Sequence, residues 1–251
     1  MTTTLNEAGL IRPDWPAPDN VRALQTTRAG GISLAPYASM NLGDHVADDP
    51  LHVAANRQRL QPWLPSEPVW MRQVHGTAVV CADQASCLPE ADAAYARRPN
   101  TVCTVMTADC LPLLLCDRAG SVVAAVHAGW RGLLAGVIEA TIRDMAVAPG
   151  ELMAWLGPAI GPEAFEVGAE VRQMFVDKDA AATQAFASTV NGKWLADIYQ
   201  LARGRLRQSG VNAVYGGQYC TYRDDERFFS YRRDGVTGRM ASMVWLVGEH
   251  V

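Results

Sequence analysis

Residues 101–147 read TVCTVMTADCLPLLLCDRAGSVVAAVHAGWRGLLAGVIEATIRDMAV, and this stretch decides the fold class. Thr101 to Met106, Leu111 to Cys116 and Val122 to His127 are short apolar runs bounded by polar or turn-forming residues, as expected of strands buried on both faces. Gly132 to Val147 then changes period. Leu133, Leu134, Val137, Ile138, Thr141, Ile142 and Met145 fall at helical spacing, and Pro149-Gly150 ends the run. Three sheet strands followed by an amphipathic helix predict an α/β protein.

Working outward, Val21 to Thr27 reads as a strand, and Arg28 to Asp49, rich in Gly, Ser, Asn and Asp, as a long loop. Asp49 and Pro50 read as the cap and first residue of a helix running to about Leu60. Val69 to His75 and Thr77 to Ala82 read as strands joined at Gly76. Leu152 to Leu156, Val211 to Tyr215 and Arg239 to Val247 are strand-like, while Gly168 to Val176 and Trp194 to Gln208 read as helices. Several predicted strands adjoin in sequence, which favours a layered α/β sandwich with mixed sheets over a doubly wound sheet. Residues 1–18 read as an N-terminal lead-in and 19–251 as a single domain.

The formal net charge of −4 exerts no general pull on nucleic acid or anionic membrane, so an anionic substrate has to meet local arginines. No run approaches the roughly 18 apolar residues of a membrane span, and Met1 to Leu10 lacks the pattern of a secretory signal, so a cytoplasmic protein is expected. The six cysteines are scattered through a core-forming chain without a CxxC pair, which predicts reduced thiols and no zinc ribbon.

Of five histidines, His75 and His127 stand at predicted strand ends beside Gly76 and Ala128-Gly129, and Cys110 breaks two apolar runs between them. Imidazole and thiolate together suit zinc, and three protein ligands leave a fourth position open, the catalytic pattern. The same atoms also permit a metal-free reading, with Cys110 as nucleophile and His127 as its base. In that reading Asp109 is a poor orienter, because strand neighbours point to opposite faces. Arg131 opens a predicted helix, where free N–H groups favour an anion. Phe229, Arg232 and Arg233 lie in a segment joining aromatic rings to arginines, suited to stacking on a base and clamping phosphate. Asn41 and Asp44 fall in the early loop, where an Asx-turn competes with ligand contact. His52 reads as exposed and His250 as part of a terminal tail.

Several strings together resemble the YfiH family, also called the laccase-domain or polyphenol-oxidase family. They are Asn41-Leu42-Gly43-Asp44-His45, Arg72-Gln73-Val74-His75-Gly76, Thr107-Ala108-Asp109-Cys110-Leu111-Pro112 and His127-Ala128-Gly129-Trp130-Arg131-Gly132. Gly157-Pro158-Ala159-Ile160-Gly161, Cys220-Thr221-Tyr222, Phe228-Phe229-Ser230-Tyr231-Arg232-Arg233 and Thr237-Gly238-Arg239 complete the resemblance, which spans nearly the whole chain. It implies a single-domain α-β-β-α sandwich related to the cytotoxic necrotizing factor catalytic domain. It implies one zinc ion on His75, Cys110 and His127, these residues also being catalytic, and a monomer. Substrate contacts are expected from Asn41, Arg72, Arg131, Phe229, Arg232 and Arg233.

The implied activity is phosphorolysis of adenosine, inosine, guanosine and methylthioadenosine, with deamination of adenosine. The runner-up is a peptidoglycan-editing amidase that removes L-serine from UDP-MurNAc-L-Ser. Copper-dependent polyphenol oxidation ranks last, because a multicopper oxidase needs many histidines for its trinuclear cluster and the chain has five. A lone His/Cys/His set could still take one adventitious copper.

Overall fold

The computed structural model describes residues 5–85 and 87–248. Two sheets lie face to face. The larger has six strands in the order Ala213–Gly216, Leu152–Leu156, Leu111–Asp117, Val123–Ala128, Ala93–Ala96, Val79–Cys81. Leu111–Asp117 is antiparallel to both its neighbours, while the outermost pair at each edge is parallel, so the sheet is mixed. The smaller sheet orders Leu10–Ile11, Val21–Thr26, Met240–Leu246 and Cys103–Thr107, all antiparallel. Leu114, Trp155, Val105 and Val244 fill the space between the sheets.

The other face of the larger sheet is covered by helices Val137–Met145, Ala169–Lys178 and Ile198–Gln208, with Leu113, Leu115, Ile138 and Leu206 in that core. The outer face of the smaller sheet packs Leu24, Met106 and Met243 against Met40 and Leu42 of the early loop, Leu60 just after helix Pro50–Gln58, and Trp70 of the following segment. The result is the expected layered α-β-β-α sandwich. Both faces of Leu111–Asp117 and Val123–Ala128 are buried, which explains their unbroken apolar sequences.

Local differences have identifiable causes. The predicted helix over 132–147 is two helices, Trp130–Ala135 and Val137–Met145. Gly136 takes a left-handed φ of 111° between them, and Lys178 and Arg205 donate to the carbonyl of Leu134 at the end of the first. Trp194 does not open a helix. Trp194–Ala196 is a strand pairing with Phe186–Ser188 and Glu166–Val167, and Asp197 then caps the helix by accepting from the Gln200 N–H at 2.9 Å. The 69–75 stretch forms only isolated bridges at Val69 and Arg72, because the N–H groups of Val74, His75 and Gly76 turn to the Asp92 carboxylate instead of a ladder. Ala93–Ala96, alanine-rich and without β-branched residues, carries no strand signal of its own yet sits inside the sheet. Within the lead-in, Leu10–Ile11 adds an edge strand.

Tyr199 fixes the turn after Leu152–Leu156. Its buried hydroxyl accepts from the Ala159 N–H at 2.8 Å and lies 2.8 Å from the Tyr219 carbonyl and 3.1 Å from that of Gly157. Tyr199→Phe should lose about 1–3 kcal/mol, since it strands a buried N–H and two carbonyls. Urea denaturation monitored by circular dichroism would show it, and an unchanged midpoint would mean that water replaces the hydroxyl.

Candidate metal centre

His75, Cys110 and His127 each reach the centre from the C-terminal end of a separate segment. Cys110 follows strand Cys103–Thr107 and precedes Leu111–Asp117, His127 stands near the end of Val123–Ala128, and His75 lies in the loop beside it. One ligand atom from each residue can be chosen so that all lie within 4.8 Å of one another. Cys110 Sγ is 3.7 Å from His75 Nε2, and the two imidazole rings stand edge to face with centroids 4.7 Å apart. His75 is exposed, Cys110 intermediate and His127 buried, so the site opens on the His75 side. No second cluster of this kind occurs among the described residues.

Asp92 organises this geometry. Its carboxylate accepts from His127 Nδ1 at 2.7 Å, from the His75 N–H at 2.9 Å, from Gly76 at 2.7 Å and from Val74 at 3.2 Å. With Nδ1 engaged, His127 presents Nε2 to the centre, the arrangement that sets a ligating imidazole's tautomer. Asp92 is itself held through its backbone: its N–H donates to the Ala78 carbonyl and its carbonyl accepts from the His127 N–H. Burial pushes the Asp92 carboxyl up, but the His127 bond and the Gly76 and Val74 N–H groups outweigh it and keep the carboxylate charged.

Burial likewise pushes the Cys110 thiol up, yet His127 and His75 pull it down to about 6, which favours thiolate at neutral pH. His127 moves the other way. Burial lowers it, while Cys110 and Asp92 together raise it above an ordinary imidazole. A thiol drawn toward thiolate beside two imidazoles, one of them backed by a carboxylate, is well matched to a cation. Gly129 closes the floor: a Cβ there would fall 2.9 Å from His75 Cδ2 and 3.0 Å from Cys110 Sγ, so only glycine lets the backbone run beneath the three side chains. His75 and Asp109 hold left-handed backbones, with φ of 61° and 92°, strain of about 1–3 kcal/mol each that concentrates at the site.

Asp109 turns away from Cys110. Its carboxylate accepts from Thr221 Oγ1 at 2.6 Å and from the Arg232 N–H at 2.7 Å, tying the 221 and 232 segments to the metal loop. Arg131 is exposed, its guanidinium stacked 4.5 Å from the Trp130 ring. Arg72 is exposed beside a cavity of about 340 Å³ that it lines with Asp44, His45 and Gln73. Arg232 is exposed but partly engaged, donating to the carbonyls of Ala164 and Glu166.

Three expected substrate contacts occupy other positions. Asn41 is fully buried, and its amide is spent on Gly43, Asp48 and the Arg239 N–H in an Asx-type arrangement. Phe229 is fully buried beneath Gly238. Arg233 donates to the carbonyls of Thr221, Tyr222 and Phe228 and pairs with Asp234. In each case the side chain that looked like a ligand contact shapes the loop around the cleft. Tyr231, not Phe229, is the exposed ring of that segment. His52 is half-buried on its helix, and His250 lies outside the described residues. Asp92, which holds two of the three cluster residues, is a position that sequence reasoning did not single out. It stands in an Ala-rich run and carries no motif.

Comparison with known proteins fits this geometry. The family described as multi-copper polyphenol oxidoreductase laccase matches residues 22–247. The purine nucleoside phosphorylase YfiH of Shigella flexneri is 57% identical over 241 residues, covering 95% of this chain and 99% of that protein. The chain belongs to the YfiH family. A second YfiH-family relative, the purine nucleoside phosphorylase of Pseudomonas aeruginosa, is 57% identical over 237 residues, 94% of this chain and 98% of the relative. A crystal structure of a Neisseria meningitidis protein superposes with a TM-score of 0.92 at 51% identity, covering 96% of this chain and all of that one. The YfiH likeness thus extends over nearly the whole chain, with the His/Cys/His cluster at one end of its sheets.

Asp92→Asn tests how far the carboxylate orients the cluster. Metal affinity, read by chelator competition, is expected to fall about 10–100-fold with the fold retained. Equal affinity in the variant would remove Asp92 from the account of the site.

Proposed function

We propose that this protein is a zinc-dependent purine nucleoside phosphorylase, acting on adenosine, inosine, guanosine and methylthioadenosine and also deaminating adenosine. The observation that carries the reading is the convergence of His75, Cys110 and His127 within 4.8 Å at a site open on the His75 side, in a chain 57% identical to relatives named purine nucleoside phosphorylase. In this reading it works as a cytoplasmic monomer. All six cysteines are free, and no described helix is long and apolar enough to cross a membrane, which agrees with that setting.

His75 Nε2, Cys110 Sγ and His127 Nε2 would hold the zinc, the mixed nitrogen and sulfur set that suits it. When bound, zinc supplies Lewis-acid polarisation of the group it faces. Asp92 keeps the His127 Nδ1 proton in place and so keeps Nε2 as the ligating atom. In this reading Arg72 and Arg131, both exposed, would meet phosphate and ribose, with Arg232 adding its unspent donors. Asn41, Phe229 and Arg233 serve by holding the surrounding loops in place. In phosphorolysis a phosphate oxygen bonds to ribose C1′ while the C–N bond to the purine breaks. The electron pair leaves on the base, and the proton lost by phosphate balances the one the base gains.

A second reading has its own support. Cys110, His127 and Asp92 form a chain of thiol, imidazole and buried carboxylate, with the thiol drawn down to about 6. That is the constellation of a cysteine nucleophile, its base and an orienter, and it would suit an amide hydrolase acting on UDP-MurNAc-L-Ser. Copper oxidation of phenols fits least, since the described residues offer one three-donor cluster and not the several sites a multicopper oxidase requires.

Zinc-loaded protein given inosine or adenosine should release hypoxanthine or adenine only when phosphate is present, and adenosine alone should yield inosine. Failure to form any of these products would end the nucleoside reading. Cys110→Ser should abolish both metal retention and turnover; loss of turnover with full metal content would instead support the nucleophile reading.

A further inference from the structure

His127 and His75 are placed by a strand and by the Asp92 carboxylate. Cys110 has neither. It lies in the crossing between the two sheets, where Thr107 still pairs with Met240 in the smaller sheet and Leu111 already pairs with Ala128 in the larger. Residues 108–110 belong to no strand, so no ladder sets the direction of the sulfur. The residue before it, Asp109, has a φ of 92°, a left-handed conformation that glycine enters most readily. Asp and Asn are tolerated there when the short side chain bonds to backbone close by. In this chain the Asp109 side chain bonds to distant segments instead.

The Asp109 carboxylate is buried, and both of its oxygens are filled. Oδ1 accepts from Thr221 Oγ1 at 2.6 Å and Oδ2 from the Arg232 N–H at 2.7 Å, partners 112 and 123 residues further along the chain. The Arg232 N–H belongs to the first turn of the short helix Tyr231–Asp234, whose next N–H, that of Arg233, is capped by Ser230 Oγ at 3.2 Å. The Asp109 carbonyl accepts from the Ile160 N–H at 2.9 Å. These three segments are also joined to one another. The Thr221 N–H donates to the Ala159 carbonyl at 3.0 Å, and Arg233 Nη1 donates to the Thr221 carbonyl at 2.7 Å. Asp109 is thus clamped by three segments that are themselves braced, one residue away from the sulfur. Glycine at this position would relieve the backbone but would drop two of the three ties.

We propose that Asp109 is the positioning residue of the Cys110 sulfur: its clamped carboxylate fixes the crossing from which Cys110 reaches His75 and His127. The assignment rests on the reading of these three side chains as a metal centre. The cluster then depends on two buried carboxylates with separate tasks. Asp92 orients the imidazoles, and Asp109, which touches neither the sulfur nor a metal, holds the backbone that aims the thiolate.

The experiment uses the full chain loaded with cobalt(II) in place of zinc, whose thiolate-to-metal charge-transfer absorption reports the Cys110 bond directly. Zinc affinity by chelator competition and the thermal midpoint are measured alongside. Asp109→Asn keeps the size and the tolerance for this backbone but turns an amide N–H toward one of the two donors. Asp109→Gly suits the backbone and drops both acceptors. Both are expected to weaken the charge-transfer band and to lower zinc affinity about 10–100-fold. Thr221→Val should move both readouts in the same direction by less, and Thr221→Ser should keep them at wild-type values. Tyr199→Phe is the control for stability: it should lower the midpoint and leave band and affinity unchanged. Wild-type band and affinity in both Asp109 variants overturn the proposal. So does an equal loss in Tyr199→Phe, which marks general loosening. If the Asp109 variants do not fold, Thr221→Val decides, and unchanged readouts there overturn it. A wild-type protein with no charge-transfer band ends the metal reading and the proposal with it, whereas a band that survives the loss of Asp109 ends the positioning role alone.

Discussion

The Asp92 carboxylate is the constraint on which the site depends. It is fully buried just before strand Ala93–Ala96, and it gathers the imidazole N–H of His127 and three consecutive backbone N–H groups from 74 to 76. A buried carboxylate persists only when its acceptors are filled, so the charge and the loop conformation require each other. The His75 loop gives up strand pairing to supply those N–H groups. In return it brings His75 to the sulfur of Cys110 and the free nitrogen of His127.

This arrangement divides labour between rigid and variable parts of the fold. His127 and the residues flanking Cys110 extend from strands packed on both faces, where side-chain positions are fixed to within small tolerances. The surrounding segments, Asn41 to Asp48, Arg72 to Gly76 and Phe229 to Arg239, are tied to the sheets by buried polar residues. Asn41 bridges the first and last of them through the Arg239 N–H, and Asp109 bridges the metal loop to Thr221 and Arg232. Polar residues that resemble ligand contacts in the sequence thus act as struts, and the exposed arginines beside them keep their donors.

The family's copper-oxidase description and the phosphorylase names of its relatives point to different chemistries. One three-donor cluster among the described residues, backed by a single carboxylate, does not supply the several sites that an electron-transfer chain of copper ions needs. The thiol–imidazole–carboxylate order of Cys110, His127 and Asp92 also matches the layout of a metal-free nucleophile, so the two proposed readings differ in what fills the space between the three donors.

From its residues alone, the chain determined the layers and most of their elements. Apolar runs at 111–116 and 122–127 and helical spacing after Gly132 are local patterns, and local patterns survive without knowledge of partners. The three donor residues were legible as well, because histidine is scarce here and each stands at a break in an apolar run. What the tertiary structure alone decided was pairing at long range. Asp92 meets the His75 N–H across 17 residues and His127 across 35, Asp109 reaches Thr221 across 112, and the Arg239 N–H reaches Asn41 across 198. The Ala93–Ala96 strand, the break at Gly136 and the burial of Asn41 and Phe229 belong to the same class. Each follows from hydrogen bonds and packing supplied by distant segments, and those leave no periodicity in the sequence that receives them.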